Sequence, residues 1–214
     1  MNRYDVAAGV EGEFEPGSRH RVLRNLLGVK SKLEMDVLES EALIAVQADY
    51  YDRITSETRF AAELLCEMHR DWLGPIYSWA GQYRTVELAK GSFRWPPANM
   101  VAANMQRFEQ ETLALHTPCV AGTLEDVCHR LAVVHAELLL IHPFREGNGR
   151  LARWLADLMA AQAGLPPPLY QFRGRGSVRT KAHYLDAVIR GYAADYADLE
   201  RFFAEAVKLR LAAD

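Results

Sequence analysis

Leu131-Ala132-Val133-Val134-His135-Ala136-Glu137-Leu138-Leu139-Leu140-Ile141-His142-Pro143-Phe144-Arg145-Glu146-Gly147-Asn148-Gly149-Arg150-Leu151-Ala152-Arg153 decides how this chain folds. Its first half, to Ile141, is apolar on nearly every side apart from His135 and Glu137. A helix of that kind belongs in the middle of a bundle. It runs straight into His142-Pro143, where the proline restricts the backbone. Gly147 and Gly149 interrupt the helical texture. Leu151, Trp154, Leu155, Leu158 and Met159 then give a second helix its buried stripe, which Gly164 and Pro166-Pro167-Pro168 end. The stretch therefore reads as two core helices joined by a short polar turn.

On the amino-terminal side, Thr123-Leu124-Glu125-Asp126 supplies an N-cap hydroxyl and early carboxylates. Before it, helical pattern covers Pro97 to about Leu115, with proline tolerated in a first turn. Tyr83 to Lys90 and Phe93-Arg94-Trp95, around Gly91-Ser92, predict two short strands in a β-hairpin. Two more helices are expected, from Leu33 to about Ile54 and from Glu57 to Leu73. The first is carried by Leu33, Val37, Leu38, Leu43, Ile44 and Val46. The second faces inward with Phe60, Leu64, Leu65, Met68 and Trp72. On the carboxy-terminal side, Thr180–Gly191 and Tyr196–Leu211 read as helices. The expected fold class is all-α, a helical bundle with one short β-hairpin. Residues 1–30, punctuated by glycine and proline, form a largely irregular arm; 31–214 form one domain that includes the last helices.

Composition narrows the function classes. The 214 residues are half apolar and one quarter charged, with a formal net charge of −3, so no global basic field draws the chain to nucleic acid. No apolar run approaches the ~20 residues of a membrane span. Met1-Asn2-Arg3-Tyr4-Asp5 lacks the apolar core of a signal peptide. Cys66, Cys119 and Cys128 match no metal or redox spacing, and a reducing, cytoplasmic location is expected. His69, His116, His129 and His183 form no ligand spacing. His135 reads as a satisfied core histidine, and Asp157 as an ion-pair partner for Arg153 across one turn. Arg173 to Arg179 reads as a solvated basic loop, with contact to a nucleotide or a partner as the alternative.

The turn itself carries chemistry. A helix N-terminus offers unpaired N–H groups and a positive dipole, hence a ready anion site. Gly147 and Gly149 allow close backbone approach to a phosphate. Arg150 and Arg153, three residues apart, can reach phosphates with forked hydrogen bonds. Glu146 is a lone carboxylate beside this anion site, and Mg²⁺ takes one or two carboxylates and completes its shell with phosphate oxygens and water. His142 has the side chain that accepts a proton near neutrality. Phe144 reads as an apolar anchor for the turn. Together these parts suit phosphoryl or nucleotidyl transfer, which depends mostly on positioning and charge stabilisation.

His142-Pro143-Phe144-x-Glu146-Gly147-Asn148-Gly149-Arg150-x-x-Arg153 resembles the signature of the Fic (filamentation induced by cyclic AMP) family. Tyr77 to Val86 with Lys90-Gly91 resembles the segment leading into that family's flap hairpin. Glu15-Pro16-Gly17-Ser18 with Val22-Leu23-Arg24-Asn25 resembles the start of its cell-filamentation subgroup. The likeness runs over about residues 14–205. It implies a Fic-like bundle and a protein adenylyltransferase that moves AMP from ATP to a Tyr, Ser or Thr hydroxyl of a target protein, releasing pyrophosphate. It gives His142 the role of general base and Glu146 that of Mg²⁺ ligand. Gly147, Asn148 and Gly149 would form the anion hole, with Arg150 on the β-phosphate and Arg153 on the γ-phosphate. The flap residues Thr85, Val86, Glu87, Leu88, Ala89, Lys90 and Gly91 would register the target by strand addition. Alternatives are a nucleotide-binding module with vestigial catalysis, against which the presence of both His142 and Glu146 speaks, and a kinase of the Doc type. The Doc branch has alanine, then asparagine and lysine, where this chain has Gly147-Asn148-Gly149. Many family members carry an inhibitory helix of the form Ser/Thr-x-x-x-Glu-Gly/Asn. Ala7-Ala8-Gly9-Val10-Glu11-Gly12 is the nearest match, lacks the hydroxyl, and is read as coincidence. Inhibition is then expected from a separate, antitoxin-like protein, or not at all.

Overall fold

The computed structural model of the protein describes residues 5–6 and 10–213. The chain divides into two compact units. The first takes in the chain up to Arg53, Ala61–Gln106 and Ile141–Leu151; the second takes in Ile54–Phe60, Arg107–Leu140 and the chain from Ala152 onward. The fold is all-α with one small antiparallel sheet.

In the first unit the sheet has the order β1 (Asp5–Val6), β2 (Leu88–Lys90), β3 (Phe93–Arg94). The hairpin β2–β3 pairs Ala89 with Arg94 and Lys90 with Phe93, and Gly91 turns the corner at φ +61°. The sequence predicts this hairpin but not β1, which pairs Asp5 with Ala89 and Val6 with Leu88 along the other edge of β2. From Val10 to Lys30 the described part of the arm holds a 3₁₀ turn, turns and bends, with one isolated bridge. Phe14 bridges Leu23, and buried Ser18 hydrogen-bonds Val22 at both its main-chain N–H and its carbonyl. Short-range pairing of this kind leaves no helical or strand periodicity to read.

Helix α1 (Lys32–Arg53) packs against α2 (Ala62–Leu73). The apolar residues that predict α1 do not all face inward: Leu33, Val37 and Ile44 are exposed, and Met35, Glu39 and Tyr50 are buried. Polar anchors set this rotation. Tyr50 donates to Asp71 Oδ2 at 2.7 Å, Tyr77 donates to Glu39 Oε1 at 2.6 Å, and Trp72 Nε1 donates to the Glu39 carbonyl at 2.8 Å. Along α2, Leu65, Met68 and Trp72 are fully buried, as its periodicity predicts.

In the second unit, Thr55–Phe60 is a turn rather than the start of a helix. The Thr58 hydroxyl accepts from the Thr55 N–H, and Gln162 Nε2 donates to the carbonyls of Thr55 and Thr58, both at 2.8 Å. Side chain–backbone bonds of this kind compete with helix formation. The helix predicted from Pro97 begins in the first unit, with a 3₁₀ turn (Ala98–Met100) and α3 (Val101–Arg107). It then widens into a π-helical stretch (Phe108–Leu113) before α4 (Ala114–His116). Helix α5 (Leu124–Ile141) starts where Thr123 marks it. The Thr123 hydroxyl accepts the Asp126 N–H at 3.1 Å and donates to its carboxylate at 2.7 Å. Helices α7 (Ser177–Gly191) and α8 (Ala197–Leu211) pack on each other. They meet α5 through His135–Tyr184 (2.7 Å), Glu137–Tyr196 (2.6 Å) and His129–Glu200 (2.8 Å). His135 is a buried core histidine, but only half satisfied: Nε2 pairs with Tyr184, while Nδ1 has no hydrogen-bond partner among the described residues. Among the described residues no helix is long and apolar enough to cross a membrane.

Candidate active site

The polar turn lies between α5 and α6 (Asn148–Gln162). His142 closes α5 at φ +52°, a left-handed conformation that costs a non-glycine residue about 1–2 kcal/mol. Such strain persists where the surroundings over-determine it. Here they do: the Arg84 main-chain N–H donates to the Pro143 carbonyl, and Arg84 Nε to the His142 carbonyl, both at 2.8 Å. The Trp95 ring lies 4.2 Å from the imidazole, centroid to centroid, and limits its rotation.

Beyond His142 the turn is stapled from within. Asn148 Oδ1 accepts the Phe144 N–H at 2.9 Å, and Asn148 Nδ2 donates to the Phe144 carbonyl at 2.7 Å. The amide side chain is thus committed to loop shape, and what Asn148 offers an anion is its main-chain N–H. Asn148 and Gly149 open α6, where amides have no partner within the helix. Gly147 sits at φ +87°, and a Cβ there would lie 2.9 Å from Trp72 Cζ3. Glu146 Oε1 accepts the Gly147 N–H at 2.9 Å.

Helix α2 supports the turn with a residue that no spacing argument singles out. His69 is fully buried and stacks on Phe144 at 4.0 Å. Its Nδ1 accepts the Gly81 N–H at 2.8 Å, which leaves the proton on Nε2 to donate to the Glu146 carbonyl at 3.0 Å. Burial pushes its pKa down to about 4, so the ring stays neutral. Glu39 and Arg84 are likewise outside any motif legible in isolation. Glu39 Oε2 accepts from Arg150 at 2.7 Å, while the Arg150 guanidinium lies 4.7 Å over the Trp72 ring and 3.5 Å from Glu146 Oε1. The only signal for Glu39 is its place on the face of α1 that also holds Met35 and Tyr50.

The flap segment Thr85–Gly91 includes β2. Its start is held by Glu11, whose carboxylate accepts the Thr85 N–H at 3.1 Å and the Thr85 hydroxyl at 3.2 Å. The Glu11 carbonyl accepts from Arg145 Nε at 2.9 Å. Ala7, Ala8 and Gly9 of the near-match to an inhibitory helix lie outside the described residues.

Arg153 follows Arg150 by one turn along α6. Within the second unit its guanidinium faces the rings of Phe172 (5.2 Å), Tyr184 (5.9 Å) and Tyr170 (6.0 Å). The predicted pair with Asp157 is replaced: Asp157 Oδ1 accepts the Tyr170 hydroxyl at 2.6 Å. Burial pushes the Asp157 pKa up to about 7 from 3.8, against the pull of Tyr170 and Arg153. The folded chain therefore holds an extra proton between those values, and this group's contribution to stability is lost as pH rises through about 7. Asp157→Asn keeps an acceptor for Tyr170 and removes the ionisation. Its melting temperature relative to wild type is expected to rise more at pH 8 than at pH 5; equal shifts at both would show that Asp157 does not titrate in this range. His69 acts in the opposite sense, losing its contribution as pH falls from 6.5 toward about 4.

The strained His142, the glycine-lined start of α6 and Arg150 stand together in the first unit of an all-α fold. Residues 59–160 match the sequence model of the Fic/DOC family, and the chain belongs to that family. It is 27% identical over 164 residues to the protein adenylyltransferase VbhT of Bartonella schoenbuchensis, covering 77% of this chain and 33% of that protein. The protein adenylyltransferase Fic of Drosophila melanogaster is 31% identical over 150 residues, covering 69% of this chain and 28% of that one. The chain thus spans about a third or less of the length of these curated relatives. A crystal structure of the effector protein BepC of Bartonella tribocorum with bound AMPPNP superposes with a TM-score of 0.69 at 18% identity, over 86% of this chain and 91% of that one.

Proposed function

We propose that this chain is a protein adenylyltransferase that moves AMP from ATP to a hydroxyl side chain of a target protein. One observation carries the reading. His142 is held in a strained, left-handed main chain five residues before Gly147 and the start of α6, an arrangement that supports a base working with an anion site. The two named adenylyltransferase relatives and the AMPPNP bound to BepC support the nucleotide and the reaction class.

In this reading the N–H groups of Asn148 and Gly149 face the phosphates, and that of Gly147 joins them on leaving the Glu146 carboxylate. Arg150, steadied by Glu39 and Trp72, meets the β-phosphate, and Arg153 the γ-phosphate. His142 takes the proton from the target hydroxyl as its oxygen attacks the α-phosphorus. The bond to the bridging oxygen breaks, pyrophosphate leaves, and AMP stays on the target as a phosphodiester. Glu146 would hold Mg²⁺, which supplies charge neutralisation on the phosphates. The donor set suits it: one largely buried carboxylate stands beside a site that collects phosphate oxygens, and among the described residues no three His, Cys, Asp or Glu side chains converge. Both glycines of Gly147-Asn148-Gly149 are kept where the Doc branch has alanine and lysine, which supports AMP transfer over the Doc reaction.

The test uses two samples of ATP, labelled in the adenine or in the γ-phosphate, incubated with the chain, Mg²⁺ and host lysate. Label carried to protein from the adenine alone is expected. Label from the γ-phosphate alone indicates a kinase, and ATP binding with no transfer indicates a vestigial binding module.

A further inference from the structure

Arg84 is 2% exposed, yet among the described residues every acceptor of its guanidinium is a main-chain carbonyl. Nε donates to His142 (2.8 Å), Nη1 to Val86 (2.9 Å), and Nη2 to Pro96 (2.6 Å) and, at 3.5 Å, to Ile141. Its own N–H reaches the Pro143 carbonyl. A buried charge costs several kcal/mol to desolvate unless its hydrogen bonds are well satisfied. This one is satisfied by carbonyls from three separate places. Ile141 ends α5 and His142 opens the strained turn; Val86 precedes β2 and Pro96 follows β3. One planar group therefore ties both stems of the flap hairpin to the main chain of the proposed base.

We propose that Arg84 is a positioning residue: its guanidinium fixes the His142 main chain and both ends of the flap in one register, so that a target backbone laid on the flap brings its hydroxyl to the imidazole. The role in transfer rests on the adenylyltransferase reading; the fixing of His142 does not. Lysine cannot substitute, because its three donors radiate from one nitrogen and do not span acceptors on opposite sides of a planar fork. Misplacing a reacting group by about 1 Å costs up to about 100-fold in rate.

The experiment compares the wild-type chain with Arg84→Lys. It reads the melting temperature, kcat and KM for ATP in AMP transfer, and the ¹H–¹⁵N ring signals of His142, assigned by their loss in His142→Gln. A folded Arg84→Lys chain is expected to lose about 10- to 100-fold in kcat, with KM for ATP little changed. The His142 ring signals are expected to move while those of His129 and His183 stay. Wild-type kcat, unmoved His142 signals, or a kcat loss without a shift at His142 each overturns the proposal. Arg84→Gln carries the same readouts if the lysine variant does not fold, and if neither folds Arg84 is a structural determinant and the proposal falls. Should the wild-type chain transfer no AMP, the functional reading fails, and the His142 signals alone decide on Arg84.

Discussion

Replacing His142 with alanine is expected to lower AMP transfer by about two to four orders of magnitude, the range that a positioned general base contributes. ATP affinity should change little, because the proposed phosphate contacts come from the α6 start and the two arginines rather than from the imidazole. Stability should fall by the packing that the buried imidazole makes with the Trp95 ring, while the main-chain anchors of the turn stay in place. Alanine keeps a Cβ, so the φ of +52° carries the same main-chain cost, and the Arg84 and Pro143 carbonyl contacts involve no side-chain atom of residue 142. Single-turnover transfer with saturating ATP, alongside ATP binding by calorimetry, separates the two quantities. Transfer at the wild-type rate removes His142 from the proton step.

Gly147→Ala is expected to lose both stability and nucleotide binding. Two penalties combine. A left-handed φ costs any residue with a Cβ about 1–2 kcal/mol, and the new methyl would meet Trp72 at 2.9 Å and Leu73 Cδ1 at 3.3 Å. Trp72 cannot yield easily. It is fully buried, its Nε1 is bound to the Glu39 carbonyl, and Arg150 lies over its ring. Overpacking of this kind costs about 1–3 kcal/mol, so the sum is about 2–5 kcal/mol, a large share of a typical domain's stability. Relieving the contact would push the turn away from Trp72 and spoil the amides at the α6 start. Thermal denaturation with and without ATP and Mg²⁺ is expected to show a lower melting temperature and a smaller shift on adding ATP. A variant that melts like wild type and binds ATP as tightly would mean that the turn needs neither the conformation nor the clearance.

The turn and its two helices were legible because their residues answer to local demands. An all-round apolar helix must be central, a Thr-x-x-Asp start caps itself, and the glycines permit what a Cβ forbids. What supports the turn was not legible, because it comes from far away in the chain. Glu39 meets Arg150 across 111 residues, His69 meets Glu146 across 77, and Arg84 meets His142 across 58. No periodicity marks such partners. On α1 periodicity points the wrong way: Leu33, Val37 and Ile44 suggest a buried stripe, yet a carboxylate between Tyr77 and Arg150 turns the helix about its axis. The early helix start at Glu57 failed for a related reason, since Gln162, more than a hundred residues on, takes the carbonyls of Thr55 and Thr58.

The strand β1 has a consequence for how a target would enter. Both edges of β2 are already occupied, by Asp5–Val6 and by β3. A peptide docking on the edge that β1 holds must swap places with the chain's own first strand, giving up as many amide–carbonyl pairs as it gains. Main-chain exchange of that kind is close to thermoneutral. Preference for one peptide over another would then have to arise from side chains, and from how readily the resident strand leaves.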